Sequence, residues 1–270
     1  MRQGGSGRAV AEALADVARL GPFFAVSTDP AEGADPRWRP VPEGVPALIE
    51  ATAARLGVPV DRVAASTAQL ALAARLWSPV LGCALLHGLV PDLAALRQRL
   101  DASGTVRLWL DAARSADLLR AGTPDAKNAG RDDGAEEADV RAPAGLHERD
   151  EAAGPVAQMA AAVRRSVIEG QLTAVHEAVR ARVPVAAGLL WGNAASAMIG
   201  ALRVLAAAHP GLAGRSRRLA RRLLEEEELR GSGVPAGPGL TFRRRSCCLY
   251  YRLGGGGLCG DCCFTVAPGS

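Results

Sequence analysis

Large aromatic side chains are scarce in this chain of 270 residues. Phe, Trp and Tyr together make up 4% of the sequence, although 49% of all residues are hydrophobic. Alanine, leucine and valine must therefore fill the core, and alanine is the strongest helix former among the amino acids. We predict a mainly α-helical protein with a small β element, which is an α+β fold.

An excess of charge of one sign is also lacking. The chain has 32 Lys and Arg residues against 28 Asp and Glu residues, which gives a formal net charge of +4. A nucleic-acid-binding protein is usually more basic, with its cationic side chains clustered. We therefore expect no nucleic-acid partner.

Uninterrupted apolar runs are missing from the two regions that could form a signal peptide or a transmembrane helix. Residues 9–20 carry three charged side chains, so they do not form the apolar core of a signal peptide. The longest apolar stretch, Val185–Ala208, contains Asn193 and Arg203, and burying this arginine in a bilayer would cost roughly 2–3 kcal/mol. We predict a buried core helix there, no transmembrane segment and a cytoplasmic protein.

Several catalytic signatures are absent as well. The sequence has no P-loop, no HExxH metal motif, no Rossmann glycine fingerprint and no arrangement typical of a catalytic triad. It therefore does not indicate a tightly bound nucleotide or flavin.

Apolar residues recur at helical spacing over most of the chain. Thr105–Leu110 instead alternates and is rich in β-formers, which predicts a strand. Ser78-Pro79 is expected to end one helix, and Pro91-Asp92 to begin a short helix that ends at Leu100. The predicted helices are residues 10–20, 45–56, 61–76, 80–90, 156–183, 191–207 and 215–229.

A change in composition defines the domain organisation. Residues 121–154 contain almost no large apolar side chains, and such a segment cannot bury enough surface to offset its ordering entropy. We divide the chain into an N-terminal helical part at 1–122, a flexible linker or insertion at 123–155, a C-terminal helical part of the same domain at 156–239, and a cysteine-rich tail at 240–270.

Five of the six cysteines lie within residues 247–263, and four of them follow the spacing C-C-x10-C-x2-C. Thiolates are ligands that iron–sulfur clusters and zinc prefer. Because no export signal is predicted, we expect these thiols to stay reduced and available to a metal. The sixth, Cys83, falls in an apolar helix, where a small buried side chain is the expected role.

Zinc and iron–sulfur sites fit this spacing unequally. Structural zinc sites usually take their ligands from two C-x2–4-C pairs. Only Cys259 and Cys262 form such a pair, whereas Cys247 and Cys248 are adjacent, and adjacent side chains of an extended segment point apart. An iron–sulfur cluster spreads its ligands over two or more irons and accepts more varied spacing. A zinc-stapled helical binding module without redox activity remains an alternative.

The order RRSCCLYYR, then a glycine run, then LCGDC is similar to the C-terminal signature of the FhuF-type ferric siderophore reductases, which are cytoplasmic 2Fe–2S proteins. The resemblance implies a 2Fe–2S cluster, and Cys263 is additional to the pattern. Residues 76–88 and 190–193 also resemble internal blocks of that family. The ligands that the resemblance implies are Cys247, Cys248, Cys259 and Cys262.

Further side chains are expected to surround the cluster or its substrate. Cationic groups beside the cluster would stabilise its reduced, more negative form, and the tyrosines would shield it from water. For the tryptophans, the histidine and the asparagine, an ordinary role in the core is the alternative. The candidates are Arg243, Arg244, Arg245, Tyr250, Tyr251, Arg252, Trp77, His87, Trp191 and Asn193.

The function that the resemblance implies is one-electron reduction of a ferric siderophore, with a hydroxamate as the expected chelator. Such chelators wrap Fe(III) in hard oxygen ligands, and Fe(II) leaves more easily because it prefers softer ligands. The electron would come from an external donor, either a ferredoxin or a flavoprotein reductase. A second hypothesis is a 2Fe–2S electron carrier that serves another acceptor.

Overall fold

The computed structural model describes residues 3–121, 154–237, 239–254, 257–266 and 268. The protein is mainly helical with a small β element, as its composition predicts. The α-helices within these ranges are α1 (Gln3–Val17), α2 (Pro30–Gly33), α3 (Val45–Leu56), α4 (Arg62–Gly82), α5 (Leu118–Ala121), α6 (Pro155–Arg164), α7 (Thr173–Arg182), α8 (Ala187–Ala208) and α9 (Ala213–Leu224). The short strands are β1 (Arg39–Pro40), β2 (Arg97–Leu100), β3 (Val106–Trp109), β4 (Gly233–Pro235) and β5 (Phe242–Arg244).

Helices α4 and α8 pack against each other at the centre of the fold. Asp61 caps the N-terminus of α4, since its carboxylate accepts hydrogen bonds from the N–H groups of Val63 at 2.8 Å and Ala64 at 3.2 Å. Both helices are long and apolar enough to cross a membrane, but their most apolar windows are 67% and 61% buried inside the fold. They are therefore core helices, which favours a soluble protein.

The predicted helix break at Ser78-Pro79 is wrong. Helix α4 runs through Pro79 to Gly82 and continues as a π-helical segment, Cys83–His87. The proline removes one N–H donor from the helix. Every residue from position 78 to position 85 is buried, so apolar packing outweighs that loss.

The second long helical run covers the predicted helix at 156–183. It begins with α6, widens into a π-helical segment at Arg165–Leu172 and continues as α7 without a break. Helix α9 ends earlier than predicted, at Leu224 rather than Leu229. The following acidic residues turn back instead, so that Glu226 and Glu228 pair with Arg164 of α6.

Strands β1, β2 and β3 form an antiparallel sheet in that order, and β4 pairs with β5 in a separate hairpin. Strand β3 confirms the strand predicted at 105–110. The helix predicted to end at Leu100 is wrong, because Arg97–Leu100 is strand β2. A partner strand on each side holds it extended: Gln98 lies opposite Arg39 of β1 and Leu108 of β3.

Buried apolar residues from both helical parts form a single hydrophobic core. It includes Leu14 of α1, Trp77 of α4, Ile168 of the π-helical segment and Leu202 of α8. The linker predicted at 123–155 lies outside the described residues, except for its last two positions. The cysteine-rich tail packs against α4 and α8 of this core, which together form its helical platform.

Candidate metal centre

The tail reaches the platform through the hairpin of β4 and β5. Phe242 of β5 is 3% exposed and belongs to the core. Its ring packs over Gly233 of β4, and a Cβ atom at position 233 would lie only 2.3 Å from the ring. Because the side chains of a strand alternate between its two faces, Phe242 and Arg244 point to the same side. The hairpin therefore directs Arg244 inward, towards α8.

The first cysteine pair is anchored to α4 by Ser66. The Ser66 hydroxyl donates to the backbone carbonyl of Cys248 at 2.7 Å. The side-chain amide of Asn193 on α8 donates to the Ser66 carbonyl at 3.0 Å and to its hydroxyl at 3.1 Å. Ser66 and Asn193 are fully buried, so these bonds are shielded from water and hold Cys248 at a fixed place on the two helices.

The second cysteine pair is anchored to α8 by Asp261, which lies between Cys259 and Cys262. Its carboxylate accepts a hydrogen bond from the Ser196 hydroxyl at 2.5 Å and forms an ion pair with Arg203 at 2.9 Å. Asp261 is 6% exposed. Its backbone carbonyl also accepts the N–H of Arg244 at 3.0 Å. The sequence pattern did not single out Asp261, Ser196 or Ser66.

One face of α8 therefore carries the contacts to the tail. Residues four or so positions apart on a helix lie on the same face, and the contacting residues follow that spacing. Gly188 accepts a hydrogen bond from the Ser246 hydroxyl at 2.9 Å. A Cβ atom at Gly192 would lie 2.2 Å from the same hydroxyl and 3.1 Å from Nη2 of Arg244, so the glycine leaves room for these two side chains of the tail. The other residues of this tail-binding face are Asn193, Ser196 and Arg203.

The sulfur atoms lie close together and receive backbone donors. The sulfurs of Cys248 and Cys259 are 3.4 Å apart. The N–H of Leu249 donates to the Cys247 sulfur at 3.3 Å, and the N–H of Phe264 donates to the Cys262 sulfur at 3.4 Å. Leu249 has a φ of 66°, and no other non-glycine residue within the described ranges has a positive φ. This left-handed turn is a strained conformation that is common at functional sites.

The thiols influence one another's protonation. The hydrogen bond with Cys259 lowers the pKa of Cys248 to about 6, and the same contact raises the pKa of Cys259. Burial, followed by the charges of Cys247 and Cys262, raises the pKa of Cys263, which therefore lies among the same sulfurs. Cys83 is different: it is fully buried in the helical core, and that burial raises its pKa to about 12.

The donor set fits a 2Fe–2S cluster, which takes its four thiolates as two pairs on separate irons. N–H donors to sulfur and a nearby cation are features that such clusters use to stabilise their negative charge, and this tail offers both.

The four predicted arginines occupy different environments. Arg243 is exposed and donates to the Cys263 carbonyl at 3.3 Å. Arg245 is also exposed, and Arg252 is exposed beside the ring of Tyr251. Arg244 alone among them is buried, at 2% exposure, and it donates to Asn193 at 2.6 Å.

The aromatic and histidine candidates divide between the site and the core. Tyr251 packs edge-on against Phe264 beside the tail cysteines, whereas Tyr250 is 43% exposed. Trp191 is next to the tail-binding face, and its ring packs against His176 of α7. Asn193 is part of the site. The structure does not bring Trp77 and His87 to the tail.

Trp77 lies eleven residues beyond Ser66 on α4, which corresponds to about 16 Å along the helix axis. Its side chain is fully buried in the core. The imidazole of His87 lies 2.9 Å from the carboxylate of Asp16 on α1. Both residues therefore contribute to the packing of the helical part.

Residues 244–264 match the family model of the FhuF 2Fe–2S C-terminal domain. No curated protein and no solved structure matches the chain. The matched segment contains all five cysteines of the tail, together with Arg244 and Asp261. The match agrees with the resemblance that the cysteine spacing carries. The C-terminal segment of this chain is therefore an FhuF-type 2Fe–2S domain, and its cofactor is a 2Fe–2S cluster.

Proposed function

We propose that this protein is a cytoplasmic ferric siderophore reductase. The observation that carries the proposal is the match of residues 244–264 to the FhuF 2Fe–2S C-terminal domain, on a fold that mounts these cysteines at its surface. When bound, the cluster supplies one electron at a time. One electron converts the chelated Fe(III) to Fe(II), which the hard oxygen ligands of a hydroxamate hold less tightly.

The chain's own residues would position and shield the redox centre. Cys247, Cys248, Cys259 and Cys262 would hold the cluster. Ser66 and Asp261 fix the two cysteine pairs on the helical platform. The edge-on ring pair of Tyr251 and Phe264 lies beside the tail cysteines in sequence and would shield the cluster from water. No acid–base catalyst is needed, because the reaction moves an electron and the iron leaves by ligand exchange.

A cleft beside the tail supports a place for the acceptor. It has a volume of about 370 Å³ and is lined by Asp61 and Arg62 at the start of α4, by Arg182 to Pro184, and by Arg252 of the tail. Arg252 thus belongs to both the cleft and the cysteine segment. Together with Arg62 and Arg182, it would attract the acidic portions of a ferric chelate. An acceptor bound in this cleft would lie next to the first cysteine pair.

The electron donor would be a ferredoxin or a flavoprotein reductase. A donor with an acidic surface could dock on α9. This helix buries Ser216, Leu219 and Leu223 and exposes a row of arginines on its other side. Complementary charge between redox partners speeds their encounter and makes the rate sensitive to salt. The exposed arginines are Arg215, Arg217, Arg218 and Arg221.

The proposal is tested in two steps. Protein purified without oxygen from iron-replete cells should contain about two irons and two acid-labile sulfides per chain, with an EPR signal after reduction by dithionite. The reduced protein should then transfer electrons to ferric hydroxamates in a stopped-flow experiment. A loaded protein that reduces no ferric siderophore would instead be an electron carrier for another acceptor.

A further inference from the structure

Arg244 places a positive charge in the interior of the protein without a carboxylate partner among the described residues. Its side chain is 2% exposed. Among the described residues, no carboxylate lies within 4.0 Å of its guanidinium, and Nε and Nη1 have no hydrogen-bond partner. Arginine stays protonated in proteins, and an uncompensated buried charge is strongly destabilising. The position therefore demands an anion.

Neutral groups hold this guanidinium in place. Its Nη2 donates to the side-chain oxygen of Asn193 at 2.6 Å and to the carbonyl of Leu189 at 3.3 Å. Asn193 donates in turn to Ser66, and Ser66 donates to the carbonyl of Cys248. A continuous chain of hydrogen bonds thus runs from the guanidinium to the backbone of a predicted cluster ligand. It fixes the position of the cation without cancelling its charge.

We propose that Arg244 is the buried counter-charge of the 2Fe–2S cluster and that Asn193 positions it. Two ferric ions, two sulfides and four thiolates carry a net charge of about −2, which becomes more negative on reduction. A cation shielded from water and salt acts on that charge more strongly than the exposed Arg243 and Arg245 do. The inference rests on the 2Fe–2S cofactor and is independent of the acceptor that the protein reduces.

The midpoint potential of the cluster distinguishes the buried arginine from its neighbours. Arg244→Gln should lower the potential, because the reduced form loses more stabilisation than the oxidised form. Arg245→Gln is the matched control and should cause a smaller downward shift that shrinks further at high salt. Arg244→Lys keeps the charge and should restore most of the potential. Equal shifts in Arg244→Gln and Arg245→Gln would overturn the proposal.

Thermal melts with and without the cluster provide a second test. Without the cluster, the buried cation of the wild-type protein has no carboxylate to offset its charge, so Arg244→Gln should raise the Tm or leave it unchanged. With the cluster bound, the same substitution should lower the Tm. If Arg244 had a purely structural role, Arg244→Gln would lower the Tm both with and without the cluster. The proposal also fails if neither Arg244→Lys nor Arg244→Gln binds a cluster, since a shape requirement rather than charge would then explain the arginine.

Discussion

At the scale of single residues, Cys263 lies among the same sulfurs as the four predicted ligands. Serine at Cys247, Cys248, Cys259 or Cys262 should abolish or strongly reduce cluster binding, because a hard hydroxyl replaces a soft thiolate. Cys263→Ser should retain the cluster. Iron and sulfide content and the visible spectrum measure the outcome. Retention in Cys262→Ser with loss in Cys263→Ser would assign the fourth ligand to Cys263.

The buried Cys83 gives the control for these substitutions. It lies in the π-helical end of the α4 run, inside the hydrophobic core, and burial keeps it protonated. Cys83→Ser places a hydroxyl in an apolar site and should lower stability. Its cluster content should equal that of the wild type, which separates ligand loss from general destabilisation.

His176 predicts a specific pH dependence of stability. Burial lowers its pKa from 6.5 to about 3, and its Nε2 accepts a hydrogen bond from the Gln69 amide at 2.8 Å. Between pH 6.5 and 3 the unfolded chain binds a proton at this histidine that the folded chain does not bind. Stability from this group is therefore present above pH 6.5 and is lost as the pH falls, by at most about 1.4 kcal/mol per pH unit.

The substitution His176→Gln removes this titration. Urea unfolding between pH 7 and pH 5 should give a flatter pH profile for the variant than for the wild type, whatever their difference at pH 7. Other titrating groups, including the tail thiols, are common to both proteins and cancel in the comparison. Parallel profiles would show that His176 takes up a proton in the folded protein.

At the scale of elements, two glycines of α8 test the tail-binding face. Gly192 lies under the tail, where a Cβ atom would be 2.2 Å from the Ser246 hydroxyl and 3.1 Å from Nη2 of Arg244. Gly192→Ala should displace the tail and speed cluster loss to a chelator. A Cβ atom at Gly200 meets nothing within 4 Å. Gly200→Ala should therefore leave the cluster unaffected and stabilise the helix by about 0.5–1 kcal/mol.

Equal rates of cluster loss in these two variants would contradict the docking of the tail on α8. Both substitutions have the same chemistry and lie in the same helix, so helix propensity alone changes them alike. The difference between them isolates the contact with Ser246 and Arg244. Chelator-induced bleaching of the visible spectrum and the midpoint of thermal unfolding provide the two measurements.

The sequence predicted the elements whose signals are local. Helical periodicity located the long helices, alternation located β3, and cysteine spacing located the tail. The break at Pro79 and the helix ending at Leu100 were wrong, because burial around Pro79 and the partner strands of β2 outweigh local preference. Asp261 and Ser66 were missed, because their partners lie 58 to 182 positions away in the chain. Short polar residues in alanine-rich helices carry no local signal of such contacts.

At the scale of the whole molecule, the tail adds to a core that is already complete. Both helical parts share one hydrophobic core, and the tail contributes few buried residues to it. Removal of the cluster by a chelator should therefore lower the Tm, because the cluster binds the folded state. The far-UV circular dichroism at 20 °C should stay nearly unchanged. Loss of helical signal on removal would show that the cluster is needed for folding itself.

The two cysteine pairs are held on two helices: Cys248 is bonded to Ser66 of α4, and Asp261 to Ser196 of α8. The packing of these helices, rather than the length of chain between the cysteines, therefore aligns the sulfurs. The connection between the pairs need only be long enough to join them, and doubling the length of a loop costs only about 0.6 kcal/mol. A relative with a longer glycine run could drift away from the ten-residue spacing and still build the same centre. Searches for such proteins would do better to look for Ser66, Ser196 and Asp261 together than for a fixed interval.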